Sequence, residues 1–216
     1  MTAAILLAAG RSVRFGRDKT AMVVEGETLV QRHVRQLRDA GVAEVIAVCN
    51  ETNEPAIRAY GIATVLQRGE TMSAAVLTGL RHATVDSAWL VCVNDLISDT
   101  AYRTIARQPL PQNAIAIATF LLAKTFHGGH LELAPDSDRV QRIVEKPLGG
   151  CPPGAWANIM IHRLRGRWLV ERLAALLAEG VEYESAVNVV IGEGVTVVPV
   201  AVDDWRAIKT PDDFPA

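Results

Sequence analysis

Seven apolar residues, Ala3 to Ala9, stop at Gly10, and the chain then becomes cationic: Arg11, Arg14, Arg17 and Lys19 follow, with the hydroxyl of Ser12 among them. So short and apolar a run predicts a buried strand, and Gly10 predicts a turn where a Cβ would strain the backbone. A strand, a glycine-led turn and a basic loop suit a triphosphate, because backbone N–H groups and fixed positive charges can converge on its oxygens. The spacing is neither G-x-x-x-x-G-K-[ST] nor G-x-G-x-x-G, which excludes the Walker A loop and the dinucleotide fingerprint.

The next segments set the fold class. After the turn Glu25-Gly26-Glu27, apolar residues Leu29, Val30, Val34 and Leu37, with His33 among them, recur at helical spacing up to Gly41, and Glu44–Cys49 reads as a second buried strand. Strand, helix and strand in succession form a βαβ unit, the building block of a parallel sheet with right-handed crossovers. Further on, 56–60 reads as a short helix and 63–66 as a strand. Gly69 opens a loop into an Ala-rich helix that Ser73 can cap. Residues 88–93 form a strongly apolar strand ending at Asn94-Asp95, where open α/β sheets bind ligands, and Asp99 is expected to cap a helix from about Thr100. Strands are expected at 113–121, 131–133, 140–144 and 157–164, with helices at 168–178 and 183–190. A late strand at 195–202 carries Pro199, which suggests an edge.

Composition narrows the function. The 216 residues suit a single domain, 1–216, and half of them are hydrophobic, enough for a sizeable core. A net charge of -2 offers no field for nucleic acid, so no polynucleotide partner is expected. Cys49, Cys92 and Cys151 are too widely spaced for a C-x-x-C zinc motif and too few for a disulfide framework. No signal-peptide pattern and no run approaching the roughly 18 apolar residues of a membrane span is present, so the expected location is the cytoplasm, without a membrane partner. His127, His130 and Glu132 lie in an H-G-G-H-x-E stretch whose glycines favour a hairpin over a zinc site. The late apolar segment suits either a homodimer face or the core.

The stretch Leu7, Ala8, Ala9, Gly10, Ser12, Arg14, Phe15, Gly16 and Lys19 resembles the signature loop of the nucleotidyltransferase superfamily. That group includes sugar-1-phosphate nucleotidyltransferases, methylerythritol-phosphate cytidylyltransferases and molybdenum-cofactor guanylyl- and cytidylyltransferases. Other segments extend the resemblance over nearly the whole chain. R-V-Q-R-I-V-E-K-P, ending at Glu145-Lys146-Pro147, is similar to the E-K-P segment of the sugar families. Residues 157–164 resemble their A-N-x-G-I-Y strand, with Met160 and His162 departing from it. The ending, Asp203 to Phe214, resembles their W-x-D-I-x-T-P-E-D-L element at Trp205, Ile208, Thr210, Pro211 and Asp213, and Lys209 matches in type the D-x-I-K element of the methylerythritol-phosphate cytidylyltransferases.

The resemblance implies a three-layer, Rossmann-like α/β fold with a mainly parallel central mixed sheet, and transfer of a nucleoside monophosphate from a nucleoside triphosphate to a phosphorylated small acceptor, with Mg²⁺. It implies nucleotide contacts from Leu7, Ala8, Ala9, Gly10, Arg11, Ser12, Gly69, Ser73 and Asn94, and catalytic cations Arg14, Lys19 and Lys146. Glu145, Asn158 and Lys209 are implied at the acceptor, and Asp95 at the metal. The departure is Ala207, which stands where the sugar families carry a second metal-binding aspartate; Asp203 or Asp204 is the expected substitute, with Asp204 preferred. The E-K-P and A-N segments rank a sugar-phosphate-like acceptor first, and the basic loop makes a molybdenum-cofactor acceptor the alternative. Ala207 also motivates a nucleotide-binding protein without transfer activity. A glycosyltransferase is disfavoured, because Val93-Asn94-Asp95 is not D-x-D.

Overall fold

The computed structural model describes residues 2–10, 15–83, 85–135 and 137–213. In chain order these are β1 (Thr2–Leu7), β2 (Val23–Val24), β3 (Glu27–Thr28), α1 (Leu29–Asp39), β4 (Glu44–Cys49), α2 (Glu54–Ala59), β5 (Ala63–Leu66), α3 (Met72–His82), β6 (Ser87–Cys92) and β7 (Asp95–Ile97). They continue with α4 (Asp99–Arg107), β8 (Ala114–Leu121), β9 (His130–Leu133), β10 (Val140–Val144), β11 (Trp156–Arg165), α5 (Arg167–Ala178), α6 (Tyr183–Gly192), β12 (Thr196–Ala201) and β13 (Trp205–Ala207).

Nine strands form the central sheet. The parallel set β5-β4-β1-β6 meets β11, which runs antiparallel to β6 and then pairs with β8, and β8 pairs in parallel with β12 at the edge. Only β10 and β11 oppose the common direction, so the sheet is mixed but mainly parallel. Pro199 sits on β12, whose only pairing among the described residues is with β8, as a residue without an N–H requires. The first half of β11 leaves β6 behind and pairs instead with β9. The β9–β10 ribbon therefore stands beyond the carboxyl end of β6.

The sheet is buried on both faces, which is why its central strands are continuous apolar runs. Along β1, Ala3, Ile5 and Leu7 enter one core with α3, α5 and α6, while Ala4 and Leu6 enter the other with α1, α2 and α4. Each helix follows its own local signals. Helix α1 starts at a capping box in which the Thr28 hydroxyl accepts from the Gln31 N–H and the Gln31 side chain accepts from the Thr28 N–H. It ends before Gly41, at φ +88°. In α3, Gly79 lies directly on β1: a Cβ there would stand 2.2 Å from Ile5 Cγ2, so only glycine allows this approach.

Two expected caps move by one or two residues. Helix α3 is capped by Thr71, whose side chain accepts from the Ala74 N–H, not by Ser73. Helix α4 is capped by Ser98, and Asp99 is its first residue, with its carboxylate bound to Arg35 and Gln36. In both cases a residue just upstream has the extended backbone that a cap needs. The chain ending contributes β13, which forms a separate two-stranded sheet with β7.

Candidate active site

The carboxyl ends of β1, β4 and β6 open into a cleft of about 980 Å³. Leu7, Ala9 and Gly10 form one wall with Asn94; Asn50, Gly69 and the start of α3 at Thr71 and Met72 form the other. The exit of β1 is braced by two asparagines: Asn53 Nδ2 donates to the Ala8 carbonyl at 2.8 Å and Asn50 Nδ2 to the Ala9 carbonyl at 3.1 Å. Gly10 does not take the left-handed conformation, and a Cβ there would come only to 4.0 Å from Asn94 Nδ2. What its missing side chain leaves is open space over Asn94. The left-handed turn lies instead at Gly16, φ +77°. Gly69, at φ +95°, also packs a hydrogen against Ala74, where a Cβ would come to 2.9 Å. Arg11, Ser12 and Arg14 lie outside the described residues.

Ser73 is on the far side of α3. Its hydroxyl donates to Glu182 Oε2 at 2.5 Å and accepts from the Tyr183 N–H at 2.9 Å, tying α3 to α6 rather than lining the cleft. Lys19 is buried, and its ammonium donates to the Ile208 carbonyl at 2.5 Å and lies over the Phe15 ring. The cation thus joins the loop after β1 to the chain ending.

Asp95 begins β7 at the edge of the cleft. Its Oδ2 accepts from Trp205 Nε1 at 3.0 Å. Burial pushes its carboxyl up to about 6, against the pull of the Trp205 hydrogen bond and the Lys209 and Lys19 charges. From behind, His33 Nε2 meets the Asp95 carbonyl at 3.0 Å, while His33 Nδ1 meets the Tyr102 hydroxyl at 2.6 Å. In the β7–β13 ladder Ala207 lies directly opposite Asp95. The position where the resembling sugar families carry an aspartate is therefore the one whose side chain shares a face with Asp95. Asp204 lies one residue before β13 and three along the chain from Ala207, outside the ladder that sets Ala207 opposite Asp95. Asp203 is held at the start of α4 by the hydroxyls of Ser98 and Thr100.

These residues fit one divalent cation in a restricted way. Among the described residues no group of three His, Cys, Asp or Glu side chains is placed to hold a metal. A single half-buried carboxylate matches a cation whose other ligands are water and the substrate's phosphates, the usual arrangement for Mg²⁺.

On the other side of the cleft's edge, the turn before β9 and the end of β10 bring the acceptor candidates together. The Asn158 N–H donates to the Gly129 carbonyl at 2.8 Å, and Glu145 Oε2 lies 2.4 Å from where a Gly129 Cβ would stand. Lys146, at φ +45°, is exposed and forms a 3.2 Å ion pair with Glu145. Lys209 Nζ donates to the His127 carbonyl and lies 3.8 Å from the Phe126 ring centroid, with Phe126 edge-on to Trp205. Glu145, Lys146, Asn158 and Lys209 thus flank the 126–129 turn, while Leu7, Gly10, Gly69 and Asn94 line the cleft.

Glu184, on α6, extends the acidic side of this region. Burial first, then repulsion from Glu145, pushes its carboxyl up to about 7. Its folded pKa exceeds the unfolded value, so its protonation stabilises the fold as pH falls from about 7 to 4.5, and its charge weakens the fold above that window. Glu184→Gln removes this penalty: it is expected to be more stable than wild type by about 2 kcal/mol at pH 7.5, with the difference gone by pH 4.5. Urea titrations at the two pH values check this; an equal difference at both contradicts it.

Comparisons with known proteins agree with this fold. A protein of Opitutus terrae described as a molybdenum cofactor guanylyltransferase is 46% identical over 57 residues, which span 26% of this chain and 28% of that protein. A structure from Bacillus anthracis described as a glucose-1-phosphate thymidylyltransferase superposes with a TM-score of 0.82 at 12% identity, covering 99% of this chain and 92% of the other. The CTP:phosphocholine cytidylyltransferase of Streptococcus pneumoniae gives a TM-score of 0.77 at 14% identity, covering 98% and 95%. At such identities the superpositions establish a shared fold. The family described as the MobA-like NTP transferase domain matches residues 4–139, more than half of the chain, and the chain belongs to that family.

Proposed function

We propose that this protein transfers a nucleoside monophosphate from a nucleoside triphosphate to a phosphorylated small polar acceptor, releasing pyrophosphate. The observation that carries this function is the cleft over β1, β4 and β6 with Asp95 at its edge and the Glu145–Lys146–Asn158 group across from it. An acceptor phosphate oxygen attacks the α-phosphorus; a P–O bond forms, the bond to the β-phosphate's bridging oxygen breaks, and the electron pair leaves with pyrophosphate. The acceptor is already ionised near neutral pH, so no protein nucleophile is needed, and positioning with charge stabilisation supplies the catalysis.

Lys19 and Arg14 offset the triphosphate charge in this account. Lys146, exposed and paired with Glu145, swings onto the acceptor phosphate, and Asn158 orients it. Asp95 holds Mg²⁺, which supplies Lewis-acid polarisation of the phosphate oxygens when bound. The family match and the Opitutus relative favour a second acceptor class, a phosphorylated pterin of the molybdenum-cofactor type.

Pyrophosphate release tests both. CTP, GTP, UTP, dTTP and ATP are each paired, with Mg²⁺, with glucose 1-phosphate, inositol 1-phosphate, phosphocholine and molybdopterin. Release that requires one nucleotide and one acceptor supports the transferase, and the acceptor decides between the two classes. Tight nucleotide binding with no release from any pair contradicts transfer.

A further inference from the structure

The site rests on two buried tyrosine–histidine pairs, one in each core. On the α1/α4 side, Tyr102 and His33 back Asp95. On the α5/α6 side, Tyr183 Oη lies 2.8 Å from His162 Nδ1, and His162 Nε2 lies 3.0 Å from Asn158 Oδ1. Both histidines are buried, and burial lowers them to about 4 and about 3, so both rings are neutral and each carries one proton. The proton's place follows from the partners. At His33 the Asp95 carbonyl can only accept, so Nε2 carries the proton and Nδ1 accepts from Tyr102.

The same order holds at His162. His162 Nδ1 is the only hydrogen-bond partner of the Tyr183 hydroxyl among the described residues, and a buried donor left unmade costs more than an idle acceptor. Tyr183 therefore donates to Nδ1, and Nε2–H donates to Asn158.

We propose that Tyr183 and His162 are positioning residues that hold the Asn158 carboxamide with its oxygen turned inward, so that its NH₂ faces the acceptor and donates to one of its oxygens. The Asn158 backbone is fixed as well, through Gly129. Its Nδ2 makes no hydrogen bond among the described residues and is not among the buried unpartnered atoms. The consequence concerns substrate class. Position 158 reads an oxygen that accepts, a phosphate or hydroxyl oxygen, and discriminates against an acceptor that offers only an N–H there. An Asp at 158 would keep an inward oxygen but put a second acceptor outward, repelling the same substrate. That the ligand at Asn158 is the acceptor rests on the function proposed above; the orientation of the amide does not.

Two measurements separate these. In the wild-type protein, ¹⁵N imidazole spectra are expected to show His162 with Nε2 protonated and Nδ1 bare at pH 7; a protonated Nδ1 overturns the relay whatever the enzyme does. In steady-state kinetics with the acceptor found above, Tyr183→Phe is expected to raise the acceptor KM roughly tenfold, as one lost hydrogen bond of about 1.4 kcal/mol would. The nucleotide KM and kcat at saturating acceptor stay within about threefold, because the lost interaction orients bound acceptor in ground and transition states alike. A purely structural hydroxyl would instead lower stability and leave the ratio of the two KM values unchanged, which overturns the proposal. Asn158→Asp, which leaves the Tyr183 hydroxyl in place, is expected to reproduce the acceptor-specific loss; an unchanged acceptor KM contradicts the outward NH₂. If no pair releases pyrophosphate, the transferase function fails, and the imidazole spectrum still decides the relay.

Discussion

Asp95→Asn is expected to reduce nucleotidyl transfer on the order of a thousandfold while leaving the protein folded. The carboxylate follows the cleft-lining Asn94 and lies in the β7–β13 sheet, and loss of metal-held charge stabilisation is worth several kcal/mol in the transition state. Asparagine keeps an oxygen that can accept from Trp205 Nε1, so the packing of β13 on β7 has no reason to change. Thermal stability should hold or rise slightly, because a carboxylate held up by burial is replaced with a neutral amide. Stopped pyrophosphate assays with a thermal melt check both halves. Transfer within tenfold of wild type would mean that the cation is held elsewhere.

The second large effect is a gain. Ala207→Asp sets a second carboxylate directly across the ladder from Asp95, with Cβ atoms about 5 Å apart on one face. Without metal, the two like charges are expected to weaken the fold by about 1 kcal/mol. With metal they gain a shared partner, and Mn²⁺ affinity measured with bound nucleotide should tighten about tenfold, since charge count at an oxygen site tunes its affinity. The Asp204→Ala variant supplies the contrast: three residues before Ala207 and outside the ladder, its loss should leave Mn²⁺ affinity unchanged. Equal effects from both positions would contradict the register that separates them.

Much of the fold was legible because it is built from strongly apolar runs with local stop signals. Glu44–Cys49 and 63–66 emerge at the expected bounds, and Pro199 marks the edge strand because a missing N–H is visible in sequence. The caps at Thr71 and Ser98 were placed on Ser73 and Asp99 because several capping residues lie in succession and only backbone conformation selects among them. The site divides similarly. Gly10, Gly69, Asn94 and Asp95 announce themselves at the carboxyl ends of strands or the start of a helix. His33, Tyr102, Tyr183 and Trp205 do not, because their contacts join residues 62 to 110 positions apart, or, for Tyr183 and His162, residues on different elements.

Asp204 shows the limit from the other side. In sequence it stands three residues from Ala207, one further than Lys209, and only the start of β13 at Trp205 shows that it falls outside the ladder. Ser73 is the same case on a helix: its spacing from Gly69 suits a base contact, whereas its rotation about the helix axis delivers it to Glu182.

The most direct test is a crystal soaked with Mn²⁺ and a non-hydrolysable nucleoside triphosphate, read by anomalous scattering. The expected map puts one manganese in direct contact with an Asp95 carboxylate oxygen and with phosphate oxygens, and the base in the cleft between Gly10 and Gly69. A nucleotide bound in that cleft with its metal away from Asp95, or a nucleotide bound outside the cleft, would contradict the account.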